Sequence, residues 1–158
     1  MSKSIRVPNR GLGKLYPCLR CGRLFANRNQ AHSCGQWTVE QHFVGKPKHL
    51  RKLFDRFIAM VQRNGPIRLH PVKTRIGIIA RMNFASATPT QDKLRCHLVV
   101  ARKIRSPRID KTESFKSMQH AVYFSVQSEA ELDDELQAWI DQAYRMGMQE
   151  FLSSKRNQ

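Results

Sequence analysis

The sequence predicts an α+β fold: an antiparallel sheet of about four strands packed against two main helices, preceded by a small zinc-knuckle segment. Three observations carry this prediction. Lys48 to Arg63 and the closing segment after Ser128 each repeat apolar residues at three- and four-residue spacing, which marks one buried helix face. The stretch between them alternates apolar and polar residues in short runs separated by turn formers, the pattern of half-buried strands in hairpin succession. Cys18, Cys21, His32 and Cys34 precede both regions at metal-ligand spacing.

Taken in order, residues 1–16 read as a basic flexible tail containing Pro8, Gly11 and Gly13. Residues 17–36 form the knuckle, with Leu24 and Phe25 as its small apolar cap. The body spans 37–152. Thr38 with Gln41 makes a capping box for a short first helix that ends at Gly45-Lys46-Pro47. The main helix over Lys48 to Arg63 presents Leu50, Leu53, Phe54, Phe57, Ile58 and Val61 on one face and stops at Asn64-Gly65-Pro66. Ile67–Val72, Thr74–Met82, Lys93–Ile104 and His120–Val126 read as the four strands. Asn83–Asp92 and Arg105–Ser117, with Pro89 and Pro107, read as loops. In the third strand Leu94, Cys96, Leu98 and Val100 point one way, which makes Cys96 a core thiol. Ser128 with Glu131 reads as the capping box of the closing helix, and Leu132, Leu136, Trp139, Ile140, Ala143, Tyr144, Gly147 and Phe151 as its stripe. Residues 153–158 are a polar tail.

The chain has 158 residues, enough for one ordinary domain plus a small appendage. No run approaches the ~20 apolar residues that span a bilayer. Three of the four cysteines sit with a histidine at ligand spacing, so the expected compartment is a reducing cytoplasm rather than a disulfide-forming one. The formal net charge is +16, unevenly spread: +7 over residues 1–36, +13 over 37–127 and −4 over 128–158. Such an excess favours polyanions, nucleic acid foremost.

In the knuckle, Cys18-x2-Cys21 before Gly22 turns tightly enough for two thiolates to share one ion, and His32-x-Cys34 supplies two more ligands. An alternative fourth ligand is His42. Four protein ligands leave no position for water, so the expected zinc is structural. The expected nucleic-acid contacts are Arg20, Arg23 and Arg28 on the knuckle and Lys73, Arg75, Arg81, Arg95, Arg102, Lys103 and Arg105 on the body, with Tyr123 as the candidate ring for a base to stack on. Two alternatives stand beside this one. One is a protein–protein interaction module. The other is an enzyme acting on phosphodiesters, which requires His97 and His120 on a single sheet face. The chain holds no GxSxG, no phosphate-binding glycine loop and no HExxH, so binding is expected rather than catalysis.

The stretch from Trp37 to Tyr144 resembles an uncharacterised bacterial domain of unknown function that is loosely labelled a predicted transport protein. The matching residues are His42-Phe43-x-Gly45, Leu53-Phe54, Val72-Lys73-Thr74-x-Ile76, Phe84-Ala85 and His120-x-Val122. The most specific match is Leu132-Asp133-x-Glu135-Leu136-x-x-Trp139-Ile140-x-x-Ala143-Tyr144. The knuckle is similar to that of members carrying Cys-x-Arg-Cys-Gly-Arg-x-Phe and Asn-Gln-x-His-Ser-Cys. The resemblance implies an α+β body and brings no activity. The transport label finds no support in a chain without an apolar span.

Overall fold

A computed structural model describes residues 14–32, 34–35, 37–116 and 118–150. Most of the expected N-terminal tail, the expected C-terminal tail and Phe151 lie outside these residues. The described chain is a mixed α+β fold with three α-helices, one two-stranded sheet and one six-stranded antiparallel sheet.

The small sheet pairs β1 (Tyr16–Pro17) with β2 (Leu24–Phe25). The helix α1 (Val39–Phe43) starts with the expected capping box: Gln41 N–H donates to Thr38 Oγ1, and Thr38 N–H donates to the Gln41 side chain. Next, α2 (Lys48–Gln62) buries Leu50, Leu53, Phe54, Phe57, Ile58, Met60 and Val61 along one stripe. The turn that follows it reaches Gly65, whose φ of 144° an L side chain rarely adopts. The large sheet follows with β3 (Arg68–Val72), β4 (Arg75–Ile79), β5 (Asn83–Pro89), β6 (Leu94–Val100), β7 (Lys111–Lys116) and β8 (Gln119–Val126). Their spatial order is β3-β4-β5-β6-β8-β7. A 3-10 turn at Glu129–Glu131 then leads to α3 (Asp134–Gly147).

The sheet therefore has six strands where about four were expected, because both segments read as loops pair. In β5 the inward residues are Ala85 and Ala87, fully buried beneath α2 and α3. Small residues suit a place where helices lie close to the sheet, and they carry none of the β-branched signal that marks a strand in sequence. The edge strand β7 is held by pairing with β8 alone, and nearly all its residues are exposed. A strand with no buried face has no hydrophobic alternation to read.

The start of α3 also differs. Ser128 opens the 3-10 turn, and the helix itself is capped five residues later by Asp133, whose carboxylate accepts from Leu136 N–H at 3.0 Å. That bond, reinforced by Arg108, holds the Asp133 carboxyl below the usual carboxylate range.

The two main helices cover one face of the sheet. Ile76, Ile78, Leu94, Leu98, Val100, Val122 and Phe124 meet Phe54 and Phe57 of α2 and Leu136, Trp139 and Ile140 of α3 in one core. Each such side chain contributes roughly 1.5–3 kcal/mol by leaving water. Cys96 is buried in this core as expected, and burial pushes its thiol far up, which removes it as a nucleophile at neutral pH. The helices leave the opposite sheet face uncovered, and the N-terminal head reaches one end of it through the rings of Phe25, His32 and His70.

Candidate metal centre and open sheet face

The head is built by its turns. Gly22, at φ 70°, closes a loop in which Cys18 N–H donates to the Arg23 carbonyl at 2.7 Å and Gly22 N–H donates to the Cys18 carbonyl at 2.8 Å. This aims the Cys18 and Cys21 thiols at one point. The returning segment brings His32 and Cys34 to the same place. Cys18 Sγ and Cys34 Sγ are 3.6 Å apart, and His32 Nε2 lies 3.4 Å from Cys21 Sγ and 3.1 Å from Cys34 Sγ. A tetrahedral zinc with bonds of about 2.3 Å to sulfur and 2.0 Å to nitrogen sets ligand separations of about 3.5–3.8 Å. All four ligand atoms lie within 4.8 Å of one another, close enough to hold a metal ion and compatible with zinc.

His32 is oriented from behind. Its Nδ1 lies 2.7 Å from the Gln30 carbonyl, which fixes the proton on that nitrogen and leaves Nε2 bare toward the thiols. Backbone N–H bonds from Cys21 and Arg20 pull the Cys18 thiol down to about 6, whereas the hydrogen bond with Cys18 and burial push the Cys34 thiol up. Three thiols converging on one point suit a dication, which stabilises all three as thiolates. His42 is not a ligand. Its Nε2 meets the Val72 carbonyl at 2.8 Å and ties α1 to the end of β3.

On the open face, register places one residue from each strand in a line across the sheet: His70, Gly77, Ser86, His97, Tyr123 and Lys111. Ser86 Oγ and His97 Nδ1 share a short hydrogen bond. The imidazole stacks on Tyr123 with ring centroids 5.6 Å apart. Tyr123 donates its hydroxyl to Glu113 at 3.1 Å, and Glu113 is ion-paired to Lys111. Burial and the nearby Arg75 cation lower His97 to about 4, against a weaker opposite pull from Glu113. Above this line lies a cavity of about 380 Å³ rimmed by Arg75, Arg95 and Lys111 and floored by Ser86, Thr88 and His97.

The expected basic residues do not form one surface. Arg75 and Arg95 rim the cavity, and Lys73 sits in the adjoining β3–β4 turn. Arg81 is buried, with its Nε 3.3 Å from the Gln149 side chain, so it is no surface contact. Arg102, Lys103 and Arg105 lie beyond the far end of β6, where Arg102 N–H donates to Gln142 of α3. On the head, Arg28 lies over the Tyr16 ring, and Arg23 is near enough to Arg68 to depress it further after burial.

His97 and His120 fall on opposite faces. His120 pairs with Val100 on the helix side and is buried, with its Nδ1 2.8 Å from Ser114 Oγ. The two imidazoles therefore cannot serve one phosphate. Tyr123 is not a free stacking platform, since His97 is stacked on it and Lys111 Nζ lies 5.7 Å from its centroid. Ser86, Thr88, Lys111 and Glu113 were missed because their strands read as loops. The short alternation of Ser86 and Thr88 with Ala85 and Ala87 was a weak signal available in β5.

Among the described residues no helix is long and apolar enough to cross a membrane. The family described as Domain of unknown function (DUF5655) matches residues 39–147. No curated protein and no solved structure matches the chain.

Proposed function

The chain belongs to the DUF5655 family, and from that premise we propose that it is a zinc-binding, strongly basic protein whose metal is structural and whose open sheet face binds a polyanion, nucleic acid foremost, in a reducing cytoplasm. The observation that carries this reading is the placement of Arg75 and Arg95. Both are exposed on the face the helices leave bare, and neither forms an ion pair among the described residues. Most cations that do pair, Arg51, Lys52, Arg56 and Arg108, lie with the helices and their acids. Zinc in the Cys18, Cys21, His32 and Cys34 set has no open coordination position, which supports a folding role for it. Arg20, Arg23 and Arg28 then stand on a rigid loop at one end of the same face.

Binding through such contacts releases counterions, so affinity falls steeply with salt, with a log–log slope of about −0.9 per phosphate engaged on duplex DNA. The test is fluorescence anisotropy with duplex DNA, single-stranded DNA and RNA across a salt series, for wild type and the double variant Arg75→Ala, Arg95→Ala. The expected result is salt-sensitive binding whose slope drops by about 2 in the double variant. Absence of binding to all three at the lowest salt defeats the reading.

A protein partner is the competing reading, and the exposed Phe115 and Met118 near the β7–β8 turn favour it. A pull-down that survives nuclease treatment and is lost in Phe115→Ser would support it instead.

A further inference from the structure

The cavity above β5 and β6 has a composition that a generic basic surface does not need. Thr88 pairs with Arg95 across β5 and β6, and Arg75 precedes the Ile76–Ala87 pair across β4 and β5. Arg75 and Arg95 thus flank Thr88 from two strands about 10 Å apart, at about 4.8 Å per strand. Guanidinium groups rising from those positions can meet over one small group. Beneath that point lie two hydroxyls. Ser86 is buried, with 7 % of its surface exposed, and Thr88 is half-buried.

The rest of the site narrows the ligand. Glu113 also lines the cavity, but its charge is matched by Lys111 and it accepts the Tyr123 hydroxyl. Asp110 is the other carboxylate on the rim, so Arg75 and Arg95 leave the cavity net positive. Tyr123 lies against His97 and under Lys111, so no flat base stacks there. In the tautomer with its proton on Nδ1, His97 donates to Ser86 Oγ and leaves the serine hydroxyl proton free to point into the cavity. An internal phosphodiester offers two non-bridging oxygens to the guanidinium forks and the Ser86 hydroxyl; the Thr88 hydroxyl, which donates to the Thr74 carbonyl at 3.4 Å, must turn from that bond to join them. A terminal phosphoryl group has three such oxygens and a larger charge, and it is an end that can enter a concave site.

We propose that this cavity binds the phosphoryl group of a phosphomonoester, with Arg75 and Arg95 as the clamp and Ser86 and Thr88 as the floor. The group can be the phosphorylated end of a nucleic-acid strand or a free small phosphomonoester. The first source rests on the polyanion reading above, and the second does not.

The experiment uses the full-length, zinc-loaded protein at one fixed salt concentration. One single-stranded oligonucleotide is compared with a 5′-phosphate, with a 3′-phosphate and with neither, by anisotropy. A nucleoside monophosphate is titrated by calorimetry. Each is repeated with Arg75→Gln and Thr88→Val, two substitutions at positions outside the core. A phosphorylated end is expected to tighten binding about tenfold through its added charge-assisted hydrogen bonds, and both variants are expected to remove that gain. Binding of the monophosphate alone, lost in both variants, assigns the free ester as the source, even where no oligonucleotide binds and the polyanion reading falls. Equal affinity for the three oligonucleotides together with no heat from the monophosphate overturns the proposal, and salt-sensitive oligonucleotide binding would then leave the polyanion reading standing alone.

Discussion

His97 is held neutral at physiological pH by its surroundings: burial and Arg75 both disfavour the imidazolium, and Glu113 compensates only in part. Its value falls from an ordinary 6.5 to about 4 on folding. Between those two values the unfolded chain binds a proton that the folded chain refuses. Stability is therefore complete above about pH 6.5 and is lost as pH falls toward 4, by at most about 3 kcal/mol. Urea unfolding at pH 7 and at pH 4.5 should show this loss in wild type and a smaller loss in His97→Gln. Acid also protonates the clustered Cys18, Cys21 and Cys34 thiols, but that acts on both chains, so the difference between them isolates His97. An identical pH dependence in the two would show that His97 titrates normally.

At the scale of elements, α3 and the β4–β5 connection are locked together at one end. The Gly147 carbonyl accepts from Arg81 N–H at 2.9 Å and from Met82 N–H at 3.0 Å. A Cβ on Gly147 would overlap the Phe84 ring, itself fully buried and packed edge-on against Tyr144. Gly147→Ala is accordingly expected to cost about 1–3 kcal/mol through overpacking, although alanine is the better helix former. Thermal unfolding measures it, and an unchanged or raised Tm would contradict the packing described. This glycine sat in the sequence as one more member of an apolar stripe. The ring that forbids a side chain there comes from β5, a strand whose alanines gave no periodic signal.

At the scale of the whole molecule, acids of the closing segment pair with particular cations. The acidic closing segment does not dilute the positive excess evenly. Glu129 pairs with Lys52 and Arg56, and Asp133 pairs with Arg108. Such exposed pairs contribute roughly 0–1 kcal/mol each, and they match acids of the closing segment to cations of α2 and of the loop before β7, while Arg75 and Arg95 on the open face form no ion pair among the described residues. The head is joined to that face through Phe25, His32 and His70, while the main core lies between sheet and helices. Chelation, or Cys21→Ser, should therefore release metal and open residues 17–35 to trypsin at Arg20, Arg23 and Arg28. The body from 37 to 150 should keep its cooperative unfolding transition. Metal analysis with limited proteolysis reads the first effect and calorimetry the second, and a body that melts with the head would show that the metal supports the entire fold.

The sequence by itself determined the two amphipathic helices, the Thr38 capping box, the stop at Gly65, the four cleanest strands and the four clustered ligands. These are local features: helical spacing, turn chemistry and Cys/His spacing are written within a few residues of one another. It also located the positive charge along the chain. Only the tertiary structure decided the rest. It recruited β5 and β7 into the sheet, buried Arg81, separated His97 from His120 and lined up Ser86, His97, Tyr123 and Lys111 across four strands. The physical reason is that strand pairing joins residues distant in sequence, and a shift of one residue would turn each side chain to the other face. The face on which an arginine or a histidine ends up is thus a property of the assembled sheet, and this protein's candidate binding cavity exists only there.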